Sequence, residues 1–391
     1  MFCYFSVNNY SLNLSLTNSC FTIQGMSDYP LQKKKDYTLK LRAVQNELPK
    51  FAGLYFRAME LQTSVLTRYG YAIDLRNFFK FCTEQVETFQ KKTPTSLTLE
   101  DLDKVTALDI ELFLEHVSLY TGDDDREREN NERAKARKLS AIRSFFKYYH
   151  RQELIKNNPA ALVDTPKIHE KAIIRLEANE VADLLDITEA GKGLSERQKA
   201  YHQATKIRDT AILTLFLGTG IRISELVGID IDDVDFSSDI FLVTRKGGNQ
   251  EMLSFGPEVR TALLTYLEQR ELVEPCPGHE NALFLSLQRK RITARAVENL
   301  VKKYARIASP LKKITPHKLR STYGTMLYQE SGDIYLVADV LGHKDVNTTR
   351  KHYAAIQEER RRQASKYIKL RDDPTPTPDR PEPPSNPPDP S

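Results

Sequence analysis

Four cysteines (Cys3, Cys20, Cys82 and Cys276) are scattered along 391 residues with no C-x-x-C pair among them. That spacing supplies neither a disulfide framework nor a zinc site, and it agrees with a reducing, cytoplasmic setting. No stretch reaches the roughly 18 consecutive apolar residues that a membrane helix needs, so no membrane partner is expected. Neither GxxxxGK[ST] nor GxGxxG occurs, which removes the two common phosphate-cradling loops. The acidic residues lack the clustering of a two-metal nuclease, so no metal and no cofactor are expected. Met1 to Gly25 holds no Lys or Arg and no continuous apolar core, which excludes a secretory signal. Two readings of that stretch stand: an extension upstream of a natural start at Met26, or a poorly ordered N-terminal arm. No internal repeat is visible.

What is present is an ordinary globular composition, 40% hydrophobic and 28% charged, long enough for two or three domains. The formal charge is +4, but Arg371 to Ser391 carries two arginines against five acidic residues, which leaves +7 on the rest. That excess permits a polyanionic partner without requiring one.

Taken in order, residues 1–36 read as a disordered extension. Residues 37–156 form a helical domain. In one helix Val65, Tyr69, Ala72, Leu75, Phe79 and Cys82 recur every three or four residues. Thr106 is placed to cap a second helix carrying Leu108, Ile110, Leu112, Leu114 and Val117. A third, from about Glu132 to His150, buries Leu139, Ile142, Phe146 and Tyr149. Thr121 to Asn131 is a charged loop. Residues 157–171 hold two prolines without periodicity and read as a linker.

A second domain follows over residues 172–370. Helices are predicted for Ala178–Asp186, Ala204–Leu217, Val259–Glu274, Ala294–Ile307 and His317–Glu330. Ile240–Arg245 and Glu251–Phe255 alternate like strands around Lys246-Gly247-Gly248-Asn249, a hairpin pattern. A charged helix is expected over Gln357–Leu370. Residues 371–391, rich in proline and acid, read as a disordered tail.

The chemistry is concentrated between Thr315 and Tyr353, in TPHKLRST and LGHKDVNTTRKHY, with GTGIRISEL and TRKGGN upstream. Singly, each residue has a plain structural reading. Arg222 with Glu225 is a helix-surface pair, His317 a helix-start residue, His343 the end of a turn and Tyr353 a core aromatic. The ordered set points elsewhere. Breaking a phosphodiester requires cations on the phosphoryl oxygens, a nucleophile, and a proton for the leaving oxygen. Arg222 and Arg320 suit the first task, because a guanidinium binds two phosphate oxygens and stays charged. Tyr353 can attack, His317 can take its proton, and Lys246 at a hairpin tip can protonate the leaving group. Arg245 beside it leaves open which cation occupies that tip.

These motifs resemble the tyrosine recombinase (phage integrase) family, most closely its Xer-type site-specific members. The resemblance spans roughly Ala172 to Leu370 and, more weakly, Leu48 to Ile155. It implies Arg222, Lys246, His317, Arg320, His343 and Tyr353 as the catalytic set, with Tyr353 the nucleophile and His343 hydrogen-bonded to the scissile phosphate. Ser321 stands where a histidine often follows the second arginine, and Tyr323-Gly324 replaces the usual small or apolar pair.

The fold implied is mainly α with a small antiparallel β-sheet: a helical core-binding domain plus an integrase-like catalytic domain, together forming a DNA clamp. Arg137, Lys138, Arg143 and Lys147 would then contact DNA phosphates. The implied partner is a double-stranded recombination site, held by a homotetramer on two sites. Strand exchange would run through a 3′-phosphotyrosyl intermediate, and the helix after Tyr353 would dock into a neighbouring subunit. The expected role is chromosome or plasmid dimer resolution. Alternatives are the integrase or excision recombinase of a mobile element, a type IB topoisomerase-like enzyme and a catalytically silent DNA-binding protein.

Overall fold

The computed structural model describes residues 28–121, 127–168, 174–245, 248–342 and 346. The expected N-terminal arm up to Gly25, the helix over 357–370 and the proline-rich tail lie outside these residues. The chain forms two compact units that divide mainly near residue 171.

In the first unit, α1 (Asp28–Gln45), α2 (Ala52–Met59), α3 (Val65–Gln85), α4 (Leu99–Lys104), α5 (Ala107–His116) and α6 (Glu132–Arg151) follow one another. Capping residues set most of the starts. Ser64 accepts from the Thr67 amide and Asn131 from the Ala134 amide, while Thr98 and Thr106 form reciprocal boxes with Asp101 and Asp109. The core is aromatic. Phe145 of α6 lies 5.0 Å from Tyr55, 5.6 Å from Phe79 and 4.8 Å from Tyr149, ring centre to ring centre. The Tyr149 hydroxyl donates to the Phe51 carbonyl at 2.6 Å, so its polar end is satisfied within the core.

Three sequence expectations change in this unit. Residues 28–36, placed in the disordered extension, are the first turns of α1. Leu41, Val44 and Leu48 are buried and pin its far end. Once a helix is nucleated each further turn is cheap, and the Gln32–Asp36 bond of 3.1 Å adds to it. The charged loop after Val117 carries two short antiparallel strands, β1 (Leu119–Thr121) and β2 (Glu127–Glu129), with Tyr120 opposite Arg128. The first part of the expected linker belongs to the unit's core: Ala160 and Val163 are buried with it. Arg143 of α6 straps this stretch down, donating to the carbonyls of Ala160 and Val163 and to Thr165 Oγ1.

The second unit holds α7 (Ala178–Ala190), α8 (Glu196–Thr219) and the one-turn α9 (Ile223–Leu226). A three-stranded sheet follows, β3 (Val234–Asp235), β4 (Ile240–Thr244) and β5 (Gln250–Ser254), in the order β3-β4-β5. Val234 sits opposite Phe241 in the antiparallel β3–β4 pair. Then come α10 (Pro257–Glu271), α11 (Ala294–Ala308), α12 (Pro316–Ser331) and α13 (Ile334–Val340). The expected architecture, mainly helical with a small antiparallel sheet, is the one observed.

Buried α8 is the centre of the unit, with residues 211–217 enclosed on every side. Its Asp209 takes Lys303 Nζ at 3.1 Å and Tyr304 Oη at 2.9 Å, which joins α8 to α11. A Cβ on Gly218 would stand 2.4 Å from Val259 Cγ2, so the bare α-carbon is what lets α10 pack this close. Asp333 caps α13 directly after the left-handed Gly332 that ends α12. That Gly-Asp pair splits the long helical run of the sequence in two.

Candidate active site

The site grows from the C-terminal end of α8. Gly220 closes that helix in the left-handed conformation, φ +62°, and its amide returns to the Phe216 carbonyl. Two residues on, Arg222 is extended and begins α9. Its backbone N–H donates to Glu225 Oε2 at 2.9 Å and its Nη1 donates to Glu225 Oε1 at 2.8 Å. The sequence allowed a helix-surface pair here. Instead Glu225 is buried, with its side chain 2% exposed, and it grips both ends of Arg222.

Arg320 arrives from the second turn of α12 and is itself buried. Its Nη1 donates to the Gly220 carbonyl and its Nη2 to the Leu341 carbonyl. Arg222 Nη2 donates to that same Leu341 oxygen at 3.2 Å and to the Gly342 oxygen at 3.1 Å. Two guanidinium groups thus share one carbonyl at the end of α13. They concentrate positive charge that the buried Glu225 partly offsets. Both terminal nitrogens of Arg222 are engaged by these partners, while its side chain keeps 32% exposure, so one edge of the group still faces solvent.

His317 lies three residues before Arg320, in the first turn of α12, and is exposed. That spacing puts both on one side of the helix. Among the hairpin residues, the Arg245 amide donates to the Asn249 carbonyl at 2.7 Å, and the Arg245 side chain is buried. Arg245 is therefore not an exposed cation of that turn. Lys246, His343 and Tyr353 lie outside the described residues. The structure accordingly brings together Arg222 and Arg320, with His317 on the same helix as Arg320. Glu225, Gly220 and the carbonyls of Leu341 and Gly342 were not picked out as site groups from sequence. The E of RISEL and the second G of GTG were their visible signals.

The four α6 cations expected to contact DNA do not share one environment. Asp74 is fully buried, Arg137 pairs with it through both terminal nitrogens, and Lys138 Nζ reaches it at 3.3 Å. Burial pushes the Asp74 carboxyl up, against the pull of Lys138 and Arg137. Lys138 is 4% exposed, so its ammonium serves the core and not a surface phosphate. Arg143 holds the strap described above. Lys147 is exposed, and Arg137 keeps half of its side chain in solvent. Among the described residues no group of three His, Cys, Asp or Glu side chains is placed to hold a metal ion, and no helix is long and apolar enough to cross a membrane.

The phage integrase family model matches residues 175–360. The tyrosine recombinase XerC of Syntrophus aciditrophicus is 30% identical over 303 residues, covering 76% of this chain and 89% of that protein. The tyrosine recombinase XerS of Lactococcus lactis subsp. cremoris is 30% identical over 359 residues, covering 84% of this chain and 98% of that one. Among solved structures, XerH bound to a palindromic difH substrate aligns with a TM-score of 0.56 at 19% identity, covering 77% of this chain and 80% of that one. The Tn1549 transposon integrase in complex with circular intermediate DNA aligns with a TM-score of 0.56 at 19% identity, covering 79% and 98%. These structural likenesses carry the fold, and the relatives, matched along nearly their whole length, carry the family. The chain belongs to the tyrosine recombinases, enzymes that cleave and rejoin DNA.

Proposed function

We propose that this site-specific recombinase works in the Xer manner, resolving joined chromosomes or plasmids, with Arg222 and Arg320 as the ligands of the scissile phosphate. The observation that supports this best is the pair of guanidinium groups anchored on the Leu341 carbonyl, with Glu225 holding the partly exposed one. Two fixed cations offer a dianion-like transition state more than they offer a singly charged phosphodiester, which is the requirement for catalysis.

In the proposed reaction the Tyr353 hydroxyl attacks phosphorus and its proton passes to His317. The bond from phosphorus to the 5′-oxygen breaks as Lys246 protonates that oxygen, and His343 hydrogen-bonds the phosphoryl group. The product is a 3′-phosphotyrosyl link and a free 5′-hydroxyl. Because the link preserves the ester, the reverse attack by a 5′-hydroxyl rejoins the strand without an external energy source. A homotetramer on two double-stranded sites would exchange the strands in pairs, in the cytoplasm. In this reading the exposed Lys147 and Arg137 of α6 contact phosphates.

The test is covalent capture. Purified protein is mixed with nicked fragments of its own genome and separated on a denaturing gel. A DNA-linked band that disappears in Tyr353→Phe is expected, and sequencing its DNA identifies the site. A band that survives Tyr353→Phe would overturn the nucleophile assignment. Captured DNA that maps to the ends of a mobile element would overturn the Xer role.

A further inference from the structure

We propose that Tyr323 is a positioning residue for the paired arginines, acting through a closed contact with Gly220 and Leu341. The inference rests on reading Arg222 and Arg320 as phosphate ligands. A Cβ on Gly220 would fall 2.4 Å from Tyr323 Cδ1 and 3.0 Å from Leu341 Cδ2. The phenol ring and the leucine side chain therefore both close on the same bare α-carbon. Arg320 donates to the carbonyls of Gly220 and Leu341, and the Leu341 carbonyl also takes Arg222. One three-residue contact thus sets the carbonyls that hold both guanidinium groups.

The sequence positions explain how the contact forms. Tyr323 follows Arg320 by three residues, so ring and guanidinium leave α12 on the same side, one turn apart. Leu341 is buried with Tyr328 and Val337 in a small cluster between α12 and α13, and Tyr323 packs against that cluster. Tyr323 is thereby wedged between the cluster and the end of α8. Burial raises its hydroxyl pKa against a smaller opposing pull from Arg320, so the ring stays neutral beside the cation. A smaller side chain at 323 would leave a gap beside Gly220, and the Leu341 carbonyl would lose its fixed distance from the α8 terminus.

The experiment uses the full chain with Tyr323→Phe, Tyr323→Ala and Tyr323→Leu, the last retaining bulk should the alanine variant fail to fold. Hydrogen–deuterium exchange is measured on peptides covering 219–226 and 336–342, with thermal melts alongside. Cleavage rate and affinity are measured separately on the captured duplex. The expected result is wild-type behaviour for Tyr323→Phe. In the Ala and Leu variants, exchange in those two segments should quicken about tenfold, and cleavage should slow about a hundredfold at unchanged DNA affinity. A folded Tyr323→Leu that keeps wild-type exchange in both segments overturns the proposal. So does a Tyr323→Phe that behaves like Tyr323→Ala, which would move the role to the hydroxyl. If the wild-type protein captures no DNA, it is the functional reading that fails, and the exchange data alone still decide the role of Tyr323.

Discussion

At the scale of single residues, the behaviour of Arg222 depends on Glu225 as much as on its own charge. Glu225 accepts both the backbone N–H and Nη1 of Arg222 from a buried position. Without that carboxylate the guanidinium would keep its charge but be held only by the Leu341 and Gly342 carbonyls, with its Nη1 and backbone anchors lost. Glu225→Ala is expected to slow covalent capture about a hundredfold while DNA affinity, read by gel shift, changes little. An equal loss in both would show that Glu225 serves binding and not orientation. The H-x-x-R spacing made Arg320 legible in the sequence, since three residues bring two side chains to one side of any helix. Arg222 and Glu225 were legible as a pair but not as a site. Whether an i, i+3 pair lies in water or is enclosed depends on what packs over it, and the carbonyls that take Arg222 come from the remote end of α13.

At the scale of elements, α6 shows how burial sorts charges that look alike in sequence. Lys138 faces Asp74 inside the core, whereas Lys147 is exposed. Asp74→Ala would strand Lys138 without its buried partner and is expected to cost about 3–5 kcal/mol in urea unfolding. Lys147→Ala should leave stability within about 0.5 kcal/mol and lower the salt slope of DNA binding by about one. A Lys147 variant with an unaltered salt slope would exclude it as a phosphate contact.

The start of α4 supplies a pH test. Burial alone would raise the Asp101 carboxyl, but its bonds to Lys92 and Thr98 outweigh burial and hold it below the usual carboxylate range. A carboxylate depressed in the folded state adds stability above its unfolded pKa of about 3.9, and that stability is lost as pH falls through the folded value. Asp101→Asn should therefore be less stable than wild type at neutral pH. The difference should shrink in denaturant melts taken progressively below about pH 4. A difference that stayed constant to the acid end would refute the linkage.

At the scale of the whole molecule, the reaction proposed needs nothing beyond the chain and its DNA. Covalent capture and rejoining should proceed at an unchanged rate in EDTA and without nucleotide. A rate that returned only with added magnesium would refute the cofactor-free reading. The sequence by itself determined the family and the mainly helical plan with its small sheet, and it nominated the candidate catalytic side chains. Periodicity, capping residues and ordered motifs are local properties, and a linear reading recovers them. Only the tertiary structure decided that Glu225 is enclosed, that Lys138 and Arg143 hold the first unit together, and that Arg222 and Arg320 meet on one carbonyl. Gly220 and Leu341 are 121 residues apart in the chain, and no local pattern links them. Their proximity comes from α8, α12 and α13 packing around a glycine that has no side chain to keep them apart.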